Sequence, residues 1–425
     1  MPLFKPGMNK TKKKRVPIPL YFDTVIVGAG ISAMYCAKRM LEHTKNASVV
    51  LLERTQRVGG RIDTNMFAGA EVVCGAGVGR MEDKLMVKLL RNLDLDMPTY
   101  TLEDQASPHM ELVDVAPLVR LLRREYRKGK KERDNTNKES FKTFATPLLG
   151  GDAKYEQFVY SVGYRDFDDQ DVEDALYNYG LGVQHTYYRM PWQQLLKKLK
   201  QSVGEHRIRY GQDVYKILLS TDCNYSVSTK QGLRILCKTV IVAADIDTIQ
   251  RLVPPEAKSL YSRIVGQPFM RVYGHFNAES NAIMQQIVTK RTLLPAPFQK
   301  IIPYNVDKGV YMITYCDDDC ALRLHSRVQN TEANRRFFCH ALEKMLDIVS
   351  GTLTLTEIRA FFWPRGTHCY LPPTNALESG SIADYRHICQ RPAPHFFVIG
   401  EAVGKYHGWC EGALHSVESV MKELL

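Results

Sequence analysis

Six residues near the N-terminus constrain this chain more than any others. Gly28-Ala29-Gly30-Ile31-Ser32-Ala33 follows the β-branched run Thr24-Val25-Ile26-Val27 and opens a segment in which Ala33, Ala37, Met40 and Leu41 recur at helical spacing. Strand, glycine turn and helix in this order read as the start of a βαβ unit. The first glycine permits the tight turn, the second lets the main chain approach a pyrophosphate, and the small third position lets helix and strand pack closely. Phosphates would sit at the helix N-terminus, where unpaired N–H groups and the helix dipole favour negative charge. Residues 48–52 read as the second strand, and Glu53 ends it. A carboxylate at that place accepts the hydroxyls of an adenosine ribose and repels a 2′-phosphate. Gly28, Gly30, Ala33 and Glu53 are therefore candidate dinucleotide-binding residues.

The chain has 425 residues, enough for two or three domains. Strands are expected at 210–219, 233–244, 271–276, 309–315 and 396–399, helices at 330–349 and 412–425, and a mostly helical polar stretch over 82–200. The ends and one middle segment read as a nucleotide-binding sheet with a second domain inserted between them. The expected division is a flexible basic arm at 1–20, a nucleotide-binding domain at 21–81, 205–262 and 392–425, and a substrate domain at 82–204 and 263–391.

Charge and cysteines narrow the setting. The formal net charge is +11, with basic runs at Lys10 to Arg15 and Arg120 to Lys131, so anionic partners are favoured. The arm could engage an acidic macromolecule or act in nuclear import. Ten cysteines contain no CxxC pair, and neither Cys316 with Cys320 nor His368 with Cys369 has structural-zinc spacing. No metal site is expected. Scattered thiols and the lack of a leader-like apolar run point to the cytoplasm, or to the nucleus if the arm is an import signal. No stretch is apolar for long enough to span a bilayer.

Two further segments carry a family resemblance. Arg57-Val58-Gly59-Gly60-Arg61 directly follows Glu53 and Arg54, and the C-terminal part holds Phe396-Phe-Val-Ile-Gly400-Glu401 and Gly408-Trp409-Cys410-Glu411-Gly412-Ala413. These resemble the flavin-containing amine oxidase superfamily, which includes monoamine, polyamine and L-amino-acid oxidases and histone demethylases. Arg189-Met-Pro-Trp192, Leu195-Leu196, Asp213-Val214 and residues 240–244 occur in the order found in that family. The resemblance implies an α/β protein in which a Rossmann-type FAD-binding domain is interleaved with an α+β substrate domain. It implies FAD as cofactor. Arg54, Gly59, Gly60 and Arg61 would lie on the pyrophosphate side, Val214 would offer its backbone to the adenine, Gly400 and Glu401 would meet the FAD chain, and Trp409, Glu411, Gly412 and Ala413 would form the flavin-contacting turn. Gly77 and Arg80, in Gly75-Ala-Gly-Val-Gly-Arg80, join the cofactor set, although Arg80 could instead clamp a substrate carboxylate or form an ion pair. Gly366 stands where monoamine oxidases carry a flavin-linking cysteine, so non-covalent FAD is expected.

The same resemblance implies hydride transfer from a substrate C–H to flavin N5, imine hydrolysis and reoxidation by oxygen with peroxide release. Trp409 would be one aromatic wall. Thr367 stands where relatives place the second, and His368 either lines the pocket or is packed away. Arg271 stands where relatives usually carry a lysine that assists oxidation. It remains charged and can hold a water but cannot lend a neutral amine. Six acids lie between Asp166 and Asp174, either a funnel for cationic polyamines or a solvated helix start. The expected function is FAD-dependent oxidation of a small-molecule amine or amino acid. Two alternatives stay open: non-amine C–H oxidation on the same fold, as in a desaturase, and an FAD-stabilised binding protein with weak or lost catalysis.

Overall fold

The computed structural model describes residues 20–44, 46–132, 139–220, 224–374 and 381–425. The basic arm therefore lies outside the described residues, apart from Leu20. Strand Leu20–Val27 ends in four fully buried residues, and all of Val49–Leu52 is buried. Continuous apolar runs of this kind suit parallel strands covered on both faces. Leu20–Val27 pairs in parallel with Val49–Leu52 on one side and Arg234–Val242 on the other. Ile208–Arg209 and Phe396–Val398 continue the parallel pairing outward, and the antiparallel strands Val214–Leu219 and Tyr225–Thr229 complete a seven-stranded sheet among the described residues.

Helix Ile31–His43 returns along this sheet, and the last helix, Cys410–Leu424, packs beside it. One core joins Ala33 and Ala37 of the first helix to Leu414, Val417 and Val420 of the last. The same core takes in Leu89 and Leu90 of helix Lys84–Asn92 and Leu195 and Leu199 of helix Trp192–Val203. Both helices were expected in the substrate domain. Their apolar stripes instead pack on the nucleotide sheet, so boundaries at 82 and 204 cut through one core. The opposite face is covered by helices Ile246–Leu252 and Ile382–Cys389 together with Tyr261 and Tyr370.

The second domain is built on a six-stranded sheet in the order Leu355–Tyr370, Ile264–Phe276, Val310–Asp317, Lys300–Asn305, Arg291–Leu293, Asp104–Ala106. Met270, Val272 and Ile313 bury one face against Phe338 and Leu342 of helix Glu332–Met345. A separate helical cluster holds Val119, Phe141, Phe158 and Phe167. The strands expected from the sequence include none at 355–370, where Pro364 and Gly366 are residues that weaken a strand. The strand accommodates them as a bulge: Thr367 lies opposite Gln267, and Trp363 opposite Phe269. Gly366 is needed there, since a Cβ would lie 2.0 Å from Phe269 Cδ1. Among the described residues no helix is long and apolar enough to cross a membrane.

Candidate functional site

The glycine turn behaves as its sequence demands. Gly28 has φ +105°, and a Cβ on it would lie 2.4 Å from the Ala243 carbonyl oxygen. Gly30 caps helix Ile31–His43, whose first turn has neither an acidic residue nor a side-chain cap. A Cβ on Gly30 would meet nothing within 4 Å. Ala33 is fully buried in the helix–sheet contact. The Glu53 carboxylate lies under the turn, accepting hydrogen bonds from Ala29 N at 2.9 Å and from Thr55 N and Oγ1 at 2.9 and 2.7 Å.

Gly59 and Gly60 close against this turn. Gly59 N donates to Ala29 O, Gly30 and Gly59 form a β-bridge, and a Cβ on Gly60 would sit 3.4 Å from Gly30 Cα. An open helix N-terminus, a bare glycine cradle and a buried acid at the second strand fit a dinucleotide: the pyrophosphate at Gly30 and the ribose near Glu53. Arg54 is 63% exposed and lies 3.9 Å from Asp245. Val214 is buried at a strand start, and its carbonyl accepts from Arg251.

Arg61 and the C-terminal acid are far apart in sequence and meet in space. Arg61 Nη1 donates to Glu401 Oε2 and to the Gly366 carbonyl, each at 2.7 Å. Glu401 also accepts from His368 N at 3.0 Å, His368 Nδ1 at 2.6 Å and Gly408 N at 2.8 Å. Four donors saturate a carboxylate's lone-pair sites. Burial opposes ionisation of Glu401, but Arg61 and His368 outweigh it and hold its pKa well below the usual range. His368 Nε2 accepts from Ile246 N at 3.2 Å, and burial lowers the ring's pKa against the pull of Glu401. A neutral Nδ1–H tautomer satisfies both contacts. His368 is thus packed away, the second of its two expected places, and both His368 and Glu401 join protein segments.

Glu411 also joins protein segments. Its two oxygens accept Leu85 N at 3.0 Å and Met86 N at 2.9 Å, capping helix Lys84–Asn92. The turn around it remains tight. Gly400 has φ +122°, its N–H bonds to Ser416 Oγ, and a Cβ on Gly412 would lie 2.1 Å from Tyr406 O. Ala413 is buried beside it. Trp409 caps the last helix, which carries no side-chain cap from that residue. The Arg80 guanidinium stacks 3.6 Å above the Trp409 ring and is paired with Asp83 at 2.7 Å. Of the roles open to Arg80, the ion pair is the one present. Thr367 comes close to this turn, its Cγ2 lying 3.4 Å from where a Gly408 Cβ would be.

Arg271 is 5% exposed and packs against Gly77, whose Cβ would lie 3.0 Å from Arg271 Nη2. Among the described residues no carboxylate forms an ion pair with it, and its Nε has no hydrogen-bond partner. Its nearest companions are the Tyr315 ring at 4.1 Å and Met312 Sδ at 3.7 Å. Burial would depress its pKa, but the phenols Tyr315 and Tyr273 reverse the sign, so the cation persists.

Sequence reasoning missed what lies behind Tyr315. Lys300 is 1% exposed, with Nζ 3.3 Å from the Tyr164 ring centre and 4.5 Å from that of Tyr315, and it donates to Gly163 O. Burial pushes its pKa down to about 7 against the pull of Asp317. Asp166, bonded to Tyr179 and 3.4 Å from Thr367 Oγ1, is shifted upward by burial and by Asp317. Asp168 meets Tyr155, Asp171 lies 3.6 Å from Arg263, and Asp174 accepts from Gln170 and Asn178. The acid-rich stretch is therefore mainly a buried hydrogen-bonded network rather than a solvated helix start. No group of three or more potential metal ligands forms among the described residues.

Comparison with known proteins agrees with this architecture. Residues 29–420 match the family model described as flavin containing amine oxidoreductase. Flavin-containing amine oxidase A of Equus caballus is 39% identical over 77 residues, 18% of this chain and 14% of that protein. Polyamine oxidase 6 of Oryza sativa subsp. japonica is 48% identical over 52 residues, 12% of this chain and 10% of that protein. These matches thus span about one-seventh or less of the curated relatives. A solved structure of a putrescine oxidase mutant from a redesign of cofactor binding superposes with TM-score 0.69 at 14% identity, covering 96% of this chain and 99% of that one. A triple mutant of that oxidase gives TM-score 0.67 at 15% identity, again covering 96% of this chain and 99% of that one. The glycine cradle, the paired C-terminal turn and the family match along nearly the whole sequence lead to one conclusion: the chain belongs to the flavin-containing amine oxidoreductase family, and its cofactor is FAD.

Proposed function

We propose that the protein is an FAD-dependent oxidoreductase acting on an amino acid, or on another amine that carries a carboxylate. The unpaired Arg271 charge carries this reading. A fixed cation in a poorly solvated site repels a second ammonium group and attracts a carboxylate, and a guanidinium fork matches a carboxylate's two oxygens. FAD, when bound, would supply the two-electron acceptor for a hydride from the substrate C–H. The chain's own groups do the rest. Arg80, fixed by Asp83, holds the Trp409 ring as a rigid wall, while Thr367 leaves the facing side less bulky than a second ring would. Burial disfavours the charged form of the substrate amine, which must be neutral to react. Gly366 has no side chain that could link a flavin, which supports non-covalent binding.

Anaerobic mixing with matched pairs, each an amino acid and its decarboxylated amine, tests the proposal through loss of flavin absorbance. Bleaching by the amino acid of a pair and not by the amine is expected. Bleaching by diamines alone overturns it, and a yellow protein that none of the panel reduces favours the non-catalytic alternative. We further place the protein in the cytoplasm, with the basic arm as a route to the nucleus. Imaging a reporter fused to the full chain or to one lacking residues 1–15 reads that directly.

A further inference from the structure

The helix Val115–Glu132 has two dissimilar sides. Val119 and Leu122 are buried against the helical cluster. Arg120, Arg123, Arg124, Arg127 and Lys128 together line a groove of about 510 Å³. Their spacing places them along one continuous stripe. Same-sign neighbours three and four residues apart weaken a helix, and this stripe holds the pairs 120/123, 120/124, 123/127, 124/127 and 124/128. Glu125 offsets part of the charge, pairing with Arg124 at 2.9 Å and Lys128 at 3.1 Å. Among the described residues Arg120 has no ion pair.

Two of the guanidinium groups are held in place. Arg123 donates through Nε and Nη2 to the Leu176 carbonyl at 2.9 and 2.7 Å, and Arg127 Nε donates to Tyr177 Oη at 3.1 Å. Both lie near the Tyr177 ring, at 5.6 and 5.8 Å from its centre, and that tyrosine is 39% exposed. The stripe therefore ends on an accessible aromatic face framed by fixed cations. Nothing in the oxidoreductase site uses these residues.

We infer that this groove binds single-stranded nucleic acid. Apart from Lys128 its cations are arginines, whose planar forks suit phosphate oxygens. Arg120 to Lys128 spans about 12 Å at ~1.5 Å per residue, enough for a few consecutive phosphates. The exposed ring supplies a stacking platform, which a purely acidic polypeptide would not need and a base would fill. The inference is independent of the oxidase chemistry.

The test is fluorescence anisotropy of a labelled mixed-sequence oligonucleotide with the full-length flavoprotein over a range of salt. Replacing Arg120, Arg124 and Arg127 together by glutamate should weaken binding at least about tenfold and flatten the log–log salt slope by roughly 2, at about 0.7 for each phosphate no longer neutralised. Arg120→Glu alone, which disturbs no internal ion pair, should flatten it by about 0.7. Tyr177→Ala should cost about fivefold or more by removing the stacking platform. Retained flavin colour and an unchanged melting temperature show that each variant is folded. No binding at low salt, equal affinity for polyglutamate, or binding that survives all the groove variants would each overturn the inference.

Discussion

The cofactor cradle and the substrate sheet treat buried charge in opposite ways. In the cradle, Glu401 is saturated by Arg61, His368 and Gly408, Glu411 caps a helix, and Arg80 is paired with Asp83. Each charge there locks one segment to another. On the substrate side Arg291 is paired with Asp104, but among the described residues Arg271 has no acid, Lys300 is driven toward neutrality, and Asp166 is driven toward protonation. A buried charge without a partner is expensive, and perturbed titratable groups collect where chemistry occurs. The cradle is thus built for permanence, and the substrate side retains charge that a ligand can complete.

The sharpest way to break this contrast is Glu401→Gln. Uncoupling a buried pair typically costs about 3–5 kcal/mol, and here removal of the charge also loosens Arg61 and His368. Denaturant unfolding should show that loss, and gel filtration should show flavin leaving the protein. Because the folded pKa of Glu401 is depressed, its stabilisation is present above the ordinary carboxylate value of about 4.3 and disappears as pH falls below it. The wild-type stability should therefore fall more steeply on acidification than that of the variant, which keeps other low-pKa acids such as Asp174 and Asp245.

Arg271→Met should show the other behaviour. Removing this cation breaks no ion pair among the described residues and should change stability far less than Glu401→Gln does, while, on the proposed function, the rate of bleaching by amino acids drops by roughly tenfold or more, the worth of one charge-assisted contact. If both substitutions destabilise equally, the contrast between the two regions fails.

Lys300→Met gives the finest discrimination, because its effect is read only as a dependence on pH. Its folded pKa, about 7, lies below that of an unfolded lysine, about 10.4, so its contribution is present above the higher value and is lost as pH falls toward the lower. Melting temperatures should decline from about pH 10 to about pH 7 more steeply in the wild type than in the variant. Parallel curves would place Lys300 among ordinary paired cations.

The cradle was legible where backbone geometry dictates residue type. Gly28, Gly30 and Glu53 act through a turn, an open helix end and a strand end, all fixed by neighbours in sequence. Partners far apart were hidden. Nothing near Arg61 announces that it meets Glu401, or near Glu411 that it caps a helix starting at Lys84. Lys300 drew no reading from the sequence, since its burial is imposed by Tyr164 and Tyr315 from other elements. The strand at Leu355–Tyr370 was masked by Pro364 and Gly366, which only the bulge opposite Phe269 explains.

That strand has a mechanical consequence. Its 16 residues at ~3.3 Å each make a beam of about 50 Å. Its first residues are anchored in the core of the substrate sheet and its last in the core of the nucleotide sheet. A partner strand runs alongside for nearly all of that length. Rocking one domain against the other would have to flex a double-stranded girder, so admission of substrate falls to individual loops and side chains. The position of Thr367 is then tied through one strand to Leu355 in the core of the substrate sheet.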